Sequence, residues 1–204
     1  MGCRSKSVMS PGADFRLPRV RAGALDETGR LHFFYHSRDS DLPVRDVLGR
    51  HGKGRKKEPY LEKSAENYCL PCLQNNIRGF LKSNEKYLFL LTRRSDCRDD
   101  KRRYVVGYLT KRRGLRRAHL NDKGHIEHHW AVQGPIILVS FDDAFPLMRL
   151  SGLSKSAAAL LRFRRLNGEQ TRHLLAHFKR GRNIFPDCLR EVRRLNKKLH
   201  QQEG

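Results

Sequence analysis

The strongest apolar segments of the chain are three short runs rich in β-branched and aromatic residues. Residues 87–91 and 104–109 are joined by a polar connection, and this pattern predicts a long antiparallel hairpin. Residues 135–141, with the sequence PIILVSF, predict a third strand. An earlier aromatic run at residues 31–35 predicts a further strand, followed by a polar turn. Residues 111–130, basic and then rich in histidine, predict a loop or a ragged pair of strands.

Apolar residues recur at helical spacing after the first predicted strand and again near the end of the chain. Apolar residues around Ile77 and Phe80 predict a helix over about residues 71–82. Residues 167–180 predict another, with Asn167 as N-cap and Gln170 three positions later. Pro186 opens a last predicted helix. Strand, helix, strands and then helices is the order typical of an α+β domain with helices to one side of a small sheet.

Charge changes this picture more than any other property. The 204 residues contain 43 Lys and Arg against 21 Asp and Glu, which gives a formal net charge of +22. Three blocks, residues 50–63, 93–117 and 162–198, supply almost all of it. A surplus of this size predicts a polyanionic partner, and nucleic acid is the first candidate. A basic surface that serves only solubility is the simpler alternative.

The compartment and redox state follow from what the chain contains. No apolar run approaches the roughly 18 residues of a spanning helix, and the N-terminal residues show no signal-peptide core. We therefore expect a cytosolic protein that does not enter a membrane. Five scattered cysteines favour reduced thiols over a disulfide framework.

One pair of cysteines has the spacing of a metal site. Cys69 and Cys72 have the spacing of a zinc half-site, which histidines at 32 and 36, or at 125, 128 and 129, are candidates to complete. No second cysteine pair exists, so structural cysteines are the preferred interpretation, and we expect no cofactor.

A metal-dependent nuclease is the alternative from the enzyme class. Asp96, Asp99 and Asp100 form a carboxylate cluster of the kind that holds Mg²⁺. They lie among arginines in a predicted turn, and pairing with those arginines explains them more simply. The chain also lacks a Walker-type phosphate loop and a serine nucleophile elbow. A ribonucleoprotein component is a third possibility.

Binding through basic side chains is the function that the pattern favours. Six arginines come immediately after the predicted strands, so a sheet would hold them in position: Arg93, Arg94, Arg112, Arg113, Arg116 and Arg117. Lys56 and Lys57 lie in a glycine- and lysine-rich stretch typical of an arm that orders on a phosphate backbone. Tyr35, Tyr104, Tyr108 and Trp130 are candidates for stacking on bases, but tyrosines in strands more commonly belong to a core or a sheet surface.

The segment YCLPCLQNNIRGFLKSNEKYLFLLTRR, followed by RRYVVGYLTK, resembles the nucleotide-modification-associated branch of the PUA-like superfamily, which includes relatives of the ASCH, EVE and YTH domains. The similarity rests on an early aromatic strand with a polar turn, a cysteine segment leading to Ile77 and Arg78, and a strand of the form hVGhh at residues 105–109. It covers roughly residues 31–145.

This resemblance implies a small open β-barrel with flanking helices that binds RNA or DNA, often by taking one modified base into a pocket. His36, Asp39, Arg78 and Trp130 match positions of such a pocket. We therefore predict an irregular lead-in over residues 1–30, a PUA-like nucleic-acid-binding domain over 31–150, and a basic helical extension over 151–204 that packs on the barrel. The oligomeric state and the choice between RNA and DNA stay open.

Overall fold

A computed structural model describes residues 26–34, 41–43, 60–61, 67–69, 74–94, 102–120, 126–152, 163–191 and 194. The strands are β1 (Asp26–Phe33), β2 (Tyr60–Leu61), β3 (Asn67–Cys69), β4 (Glu85–Thr92), β5 (Tyr104–Thr110), β6 (Arg113–Leu120), β7 (Ile126–Gln133), β8 (Ile136–Leu138), β9 (Phe145–Pro146) and β10 (Phe163–Leu166). The helices are α1 (Gln74–Lys82) and α2 (Gly168–Phe178), a 3₁₀ turn (Leu147–Arg149), and a C-terminal helical segment at residues 185–191 and 194.

The main sheet has six strands in the order β10-β1-β4-β5-β8, with β9 also pairing with β5. Its strand directions are mixed, because β1 and β4 are parallel while the other pairs are antiparallel. The predicted hairpin of β4 and β5 is confirmed, and it forms the centre of the sheet. The α+β class is likewise confirmed.

Apolar residues cover both faces of this sheet, which explains why the central strands are apolar almost without interruption. Alternate residues of β4 face opposite cores, with Leu88 and Leu90 on one side and Phe89 and Leu91 on the other. We call the first the α1 side, because Ile77 and Phe80 of α1 pack there together with residues of β7 and the C-terminal helical segment. The second is the α2 side, where residues of α2 and the 3₁₀ turn pack.

A bent hairpin joins the main sheet to a second sheet of order β2-β3-β7-β6. Strand β5 passes into β6 within two residues, and β7 passes into β8 just as quickly, so one long strand pair contributes to both sheets. The bend is tight: a Cβ on Gly134 would lie 1.8 Å from the carbonyl oxygen of Thr110, so glycine is required there. Strands β6 and β7 thus pair in regular antiparallel register, where the sequence left open a loop or a ragged pair of strands.

Two boundaries differ from those expected. The end of the predicted lead-in, residues 26–30, belongs to β1, because pairing with both β4 and β10 stabilises these polar residues. In the C-terminal part, α2 begins as predicted with an Asn167–Gln170 capping box, whereas residues 163–166 form β10 and complete the main sheet. No helix among the described residues is long and apolar enough to span a membrane.

Candidate nucleic-acid interface

One end of the main sheet carries four arginines that flank a single pair of strand residues. Thr92 at the end of β4 pairs with Tyr104 at the start of β5. Arg93 and Arg94 follow β4, and Arg102 and Arg103 precede β5, so all four converge at this end. We call these four residues the arginine edge.

Aromatic rings lie beneath each of these guanidinium groups. The Cζ atoms of Arg93 and Arg103 lie 5.9 Å and 4.8 Å from the centroid of the Phe33 ring. Arg94 lies 5.7 Å from the Phe141 ring, and Arg102 lies 6.0 Å from the Tyr104 ring. Cation–π contacts of this kind contribute about 0.5–1 kcal/mol each at exposed sites. Arg93 and Arg102 are exposed and the other two half-buried, so the edge presents supported positive charge to solvent.

The opposite end of the same hairpin carries Arg112 and Arg113. The backbone N–H of Lys111 donates to the carbonyl of Lys86 at 2.8 Å, which places these arginines beside the start of β4. Seven residues of extended strand separate Lys86 from Arg93, a distance of roughly 23 Å. The arginines that follow the two predicted strands therefore lie in two sets at opposite ends of the sheet.

The remaining predicted phosphate contacts extend from the second set or lie outside the described residues. Arg116 and Arg117 belong to β6, where they pair with Trp130 and His129. Arg113, which is exposed, donates to the side-chain oxygen of Gln133. Lys56 and Lys57 lie outside the described residues.

The predicted base pocket is described only in part. His36 and Asp39 lie outside the described residues. Arg78 is exposed on α1, and Trp130 is half-buried in β7, packed against the core of the α1 side. Both therefore belong to the same side of the main sheet.

The proposed stacking tyrosines are largely used by the cores. Tyr104 is buried in the α1-side core, and Tyr108 packs against Phe89 and Phe178 on the α2 side, where burial raises its pKa. Tyr104 therefore has little exposed ring surface, and Tyr108 is half-buried, which agrees with the interpretation that strand tyrosines belong to a core or a sheet surface. Strand tyrosines and binding tyrosines look alike in sequence, because an apolar core and a base both favour an aromatic ring. Tyr35 lies outside the described residues.

The metal hypotheses fall largely outside the described part of the chain. Cys72 and the three aspartates at 96, 99 and 100 lie beyond it, and only the backbone of Cys69 is described, in β3. Within the described residues, no three His, Cys, Asp or Glu side chains come together as metal ligands. His32 lies in the core with no exposed surface, and burial lowers its pKa to about 3, so it is neutral at pH 7.

Sequence reasoning missed a buried ionic cluster where α1 meets β4. Arg30 forms a buried ion pair with Glu85, and the Nε of Arg165 lies 3.5 Å from the same carboxylate. The Ser83 hydroxyl also donates to Glu85, at 2.7 Å. Arg30 lies in the predicted irregular lead-in and Glu85 in a polar connection, so nothing in the pattern pointed to burial. Only the parallel pairing of β1 with β4 brings them together.

Lys111 completes this cluster from the bend of the hairpin. Its Nζ donates to the carbonyl oxygens of Phe80 and Ser83, at 3.0 and 2.7 Å, and so satisfies the end of α1. The residue is 2% exposed, and burial lowers the pKa of its amine to about 8. Lys111 thereby joins α1 to the strand pair that carries Arg112 and Arg113.

No protein-family model, curated protein or solved structure matches this chain. The similarity to the PUA-like superfamily remains a prediction. The interface described above is therefore interpreted from its own geometry and charge.

Proposed function

We propose that this protein binds nucleic acid through phosphate contacts made by its arginines. The observation that carries the proposal is the arginine edge, where four guanidinium groups from two strand ends lie over aromatic rings. Supported guanidinium groups lose little conformational entropy on binding, and their planar forks match phosphate oxygens. This arrangement favours phosphate binding over a merely solubilising role for these side chains.

The overall charge supports the same function. A net charge of +22 draws polyanions to the protein from a distance and raises the rate of encounter. Such binding is strongly dependent on salt, because each neutralised phosphate releases condensed counterions. For four contacts to a single strand, affinity should fall roughly 50-fold between 50 and 200 mM salt.

We further propose that the two sheets represent an open barrel of the PUA-like kind. The support is the bent hairpin, since strands that pass from one sheet into another at a bend or bulge are how barrel-like sandwiches form their corners. Within the described ranges the strands form two sheets and do not close into a barrel. A base pocket that includes Arg78 and Trp130 would lie on the α1 side of this assembly, and its base, modified or not, is part of the proposal.

The function is tested by fluorescence anisotropy with labelled mixed-sequence RNA and DNA over a range of salt concentrations. The double variant Arg93→Glu/Arg94→Glu should weaken binding at least tenfold and flatten the dependence on salt. The matched control is Lys179→Glu/Arg180→Glu, which makes the same charge change at exposed positions after α2. Equal losses in the two variants would show that only net charge matters, and no binding of either nucleic acid would refute the function altogether.

Charge reversal at the second set, Arg112, Arg113, Arg116 and Arg117, should also reduce affinity. Incubating the same probes with Mg²⁺ or EDTA separates binding from cleavage. EDTA-sensitive cleavage would overturn a function limited to binding.

A further inference from the structure

The arginine edge divides between the two sides of the main sheet. Phe33 belongs to the core of the α2 side, and Arg93 and Arg103 both lie over its ring. The other two arginines lie over Tyr104, which belongs to the core of the α1 side, and over Phe141, which packs against that core. The four guanidinium groups are therefore two pairs on opposite sides of the sheet end.

Strand register brings the pair over Phe33 together. Thr92 and Tyr104 occupy the last paired position of β4 and β5 at this end. Continuing the register by one position places Arg93 opposite Arg103. Directly opposite Cβ atoms of neighbouring antiparallel strands are about 5 Å apart, so the two side chains start out as neighbours.

The two side chains also converge at their guanidinium ends. The Cζ atoms of Arg93 and Arg103 lie 5.9 Å and 4.8 Å from the centroid of the same ring. These two atoms are therefore at most about 11 Å apart, which is the sum of the two distances. The Phe33 ring is 7% exposed and otherwise packed in the core, so both groups approach its outward part and lie closer than this limit.

Hydrogen bonds around Phe33 hold the shared ring in place. Phe33 pairs with Leu91 in the parallel register of β1 and β4. Directly after it, the N–H of Phe34 donates to the carbonyl of Leu91 at 2.8 Å, and the hydroxyl of Thr92 donates to the carbonyl of Phe34 at 2.9 Å. The end of β1 is thus fixed against β4, and its ring supports arginines from two different strands.

Two cations at this separation repel each other, and an anion placed between them attracts both. A phosphate group suits this position, because its oxygens accept hydrogen bonds from the forks of two guanidinium groups at once. We propose that Arg93 and Arg103 jointly bind one backbone phosphate of the nucleic acid above the Phe33 ring, and that Phe33 is the positioning residue of this site. This inference rests on the proposed function and specifies a phosphate site within it.

A double-mutant cycle tests the joint contact. Arg93→Gln, Arg103→Gln and the double variant are titrated with a 12-nucleotide RNA or DNA that lacks terminal phosphates. Each single variant should weaken binding about tenfold, and the double variant only about twentyfold, because both replacements break the same contact. Arg103→Gln/Arg112→Gln is the matched control, since these residues lie at opposite ends of β5 and their losses should multiply. Losses that multiply for Arg93 and Arg103 as well would refute a shared phosphate.

The dependence of affinity on salt gives a second readout, because it counts neutralised phosphates. The slope of the logarithm of the binding constant against the logarithm of salt concentration should become shallower by about 0.7 in Arg93→Gln/Arg103→Gln, the value for one phosphate of a single strand. A change of about 1.4 would mean two separate phosphates and would overturn the proposal.

Replacement of the ring tests Phe33 itself. Phe33→Leu keeps an apolar side chain in the core but removes the aromatic ring beneath both arginines, and it should weaken binding about fivefold. Phe89→Leu removes a ring from the same core in the middle of β4 and should change affinity less than twofold. Thermal melts identify a temperature at which both variants are folded, and binding is measured there. Equal effects of the two replacements would show that Phe33 acts only as a core residue.

The wild-type protein separates failure of this inference from failure of the proposed function. A wild-type protein that binds no probe would refute nucleic-acid binding itself. A wild-type protein that binds the probe while Arg93 and Arg103 act independently would refute only the shared phosphate site.

Discussion

The replacement Lys111→Met tests the buried amine at the bend of the hairpin. Folding buries the Nζ of Lys111, and this burial lowers its pKa from 10.5 to about 8. Between these two values the unfolded chain holds a proton that the folded protein has released. The free energy of unfolding must therefore rise with pH in this window, and the cost of burying the charge is present in full only below about pH 8.

The magnitude follows from the same shift. The slope is at most about 1.4 kcal/mol per pH unit, and solvent screening reduces it, so we expect a gain of about 0.5–1 kcal/mol between pH 8 and 9. Burial raises the pKa of the Cys188 thiol to about 12, which opposes this trend from about pH 9 upwards. That contribution is common to wild type and variant and cancels in their difference.

Urea denaturation at pH 7, 8 and 9, followed by the fluorescence of the single Trp130, measures the effect. Wild type should gain stability relative to Lys111→Met over this range. Lys82→Met removes an exposed lysine from the same part of the molecule and should leave the wild-type profile unchanged. If the free energy of unfolding has the same pH dependence in wild type and in Lys111→Met, the amine of Lys111 is not desolvated on folding. The explanation of its lowered pKa by burial would then be wrong.

Three further predictions concern stability and use the same urea titrations. Glu85→Leu should lower the free energy of unfolding by about 3–5 kcal/mol, because it leaves the buried charge of Arg30 without this carboxylate. The double variant Arg30→Met/Glu85→Leu should recover most of this loss. A double variant as unstable as Glu85→Leu would contradict the explanation. Gly107→Ala should prevent folding, because φ is +151° at this position and the new Cβ would lie 2.0 Å from a carbonyl oxygen of β8. Gly79→Ala on α1 should instead raise the free energy of unfolding by up to about 1 kcal/mol. Similar results for the two variants would rule out the steric explanation. Asn167→Ala should lower the free energy of unfolding by about 1 kcal/mol because it removes the capping box, whereas Asn167→Asp should hardly change it. An equal loss in the two variants would exclude capping as the cause.

Local signals predicted the elements that depend on neighbours in the chain. The β4–β5 hairpin is apolar because both faces of these central strands are buried, and burial alone favours such runs. Helix α2 begins directly after Asn167, because the side-chain oxygen of this N-cap accepts a hydrogen bond from a backbone N–H three residues later. The capping contact joins residues that are close in the sequence, and burial of an apolar strand needs no particular partner. Both can therefore be predicted from the sequence alone.

The candidate site depended on contacts that are distant in sequence. The pattern placed Arg93, Arg94 and Arg112 just outside strand ends, as the structure has them, whereas Arg116 and Arg117 lie within β6. The antiparallel direction of β5 puts Arg93 and Arg112 at opposite ends of the sheet. The pattern also missed the contribution of Arg102 and Arg103, which join the arginine edge only through the pairing of Thr92 with Tyr104. Strand direction and register are properties of pairing, which the composition of a block cannot encode.

Charge and periodicity thus define the kind of molecule: an α+β chain with a large positive surplus and a strongly apolar central hairpin. Burial of individual polar residues is another matter, because Arg30, Glu85 and Lys111 lie far apart in the sequence and each resembles an ordinary surface residue. Their burial is tolerated only because the fold brings opposite charges and carbonyl oxygens together around them. The same long-range pairing decides on which end or face of the main sheet each basic residue lies, because the direction of each strand and the packing of each helix decide where its charges are placed.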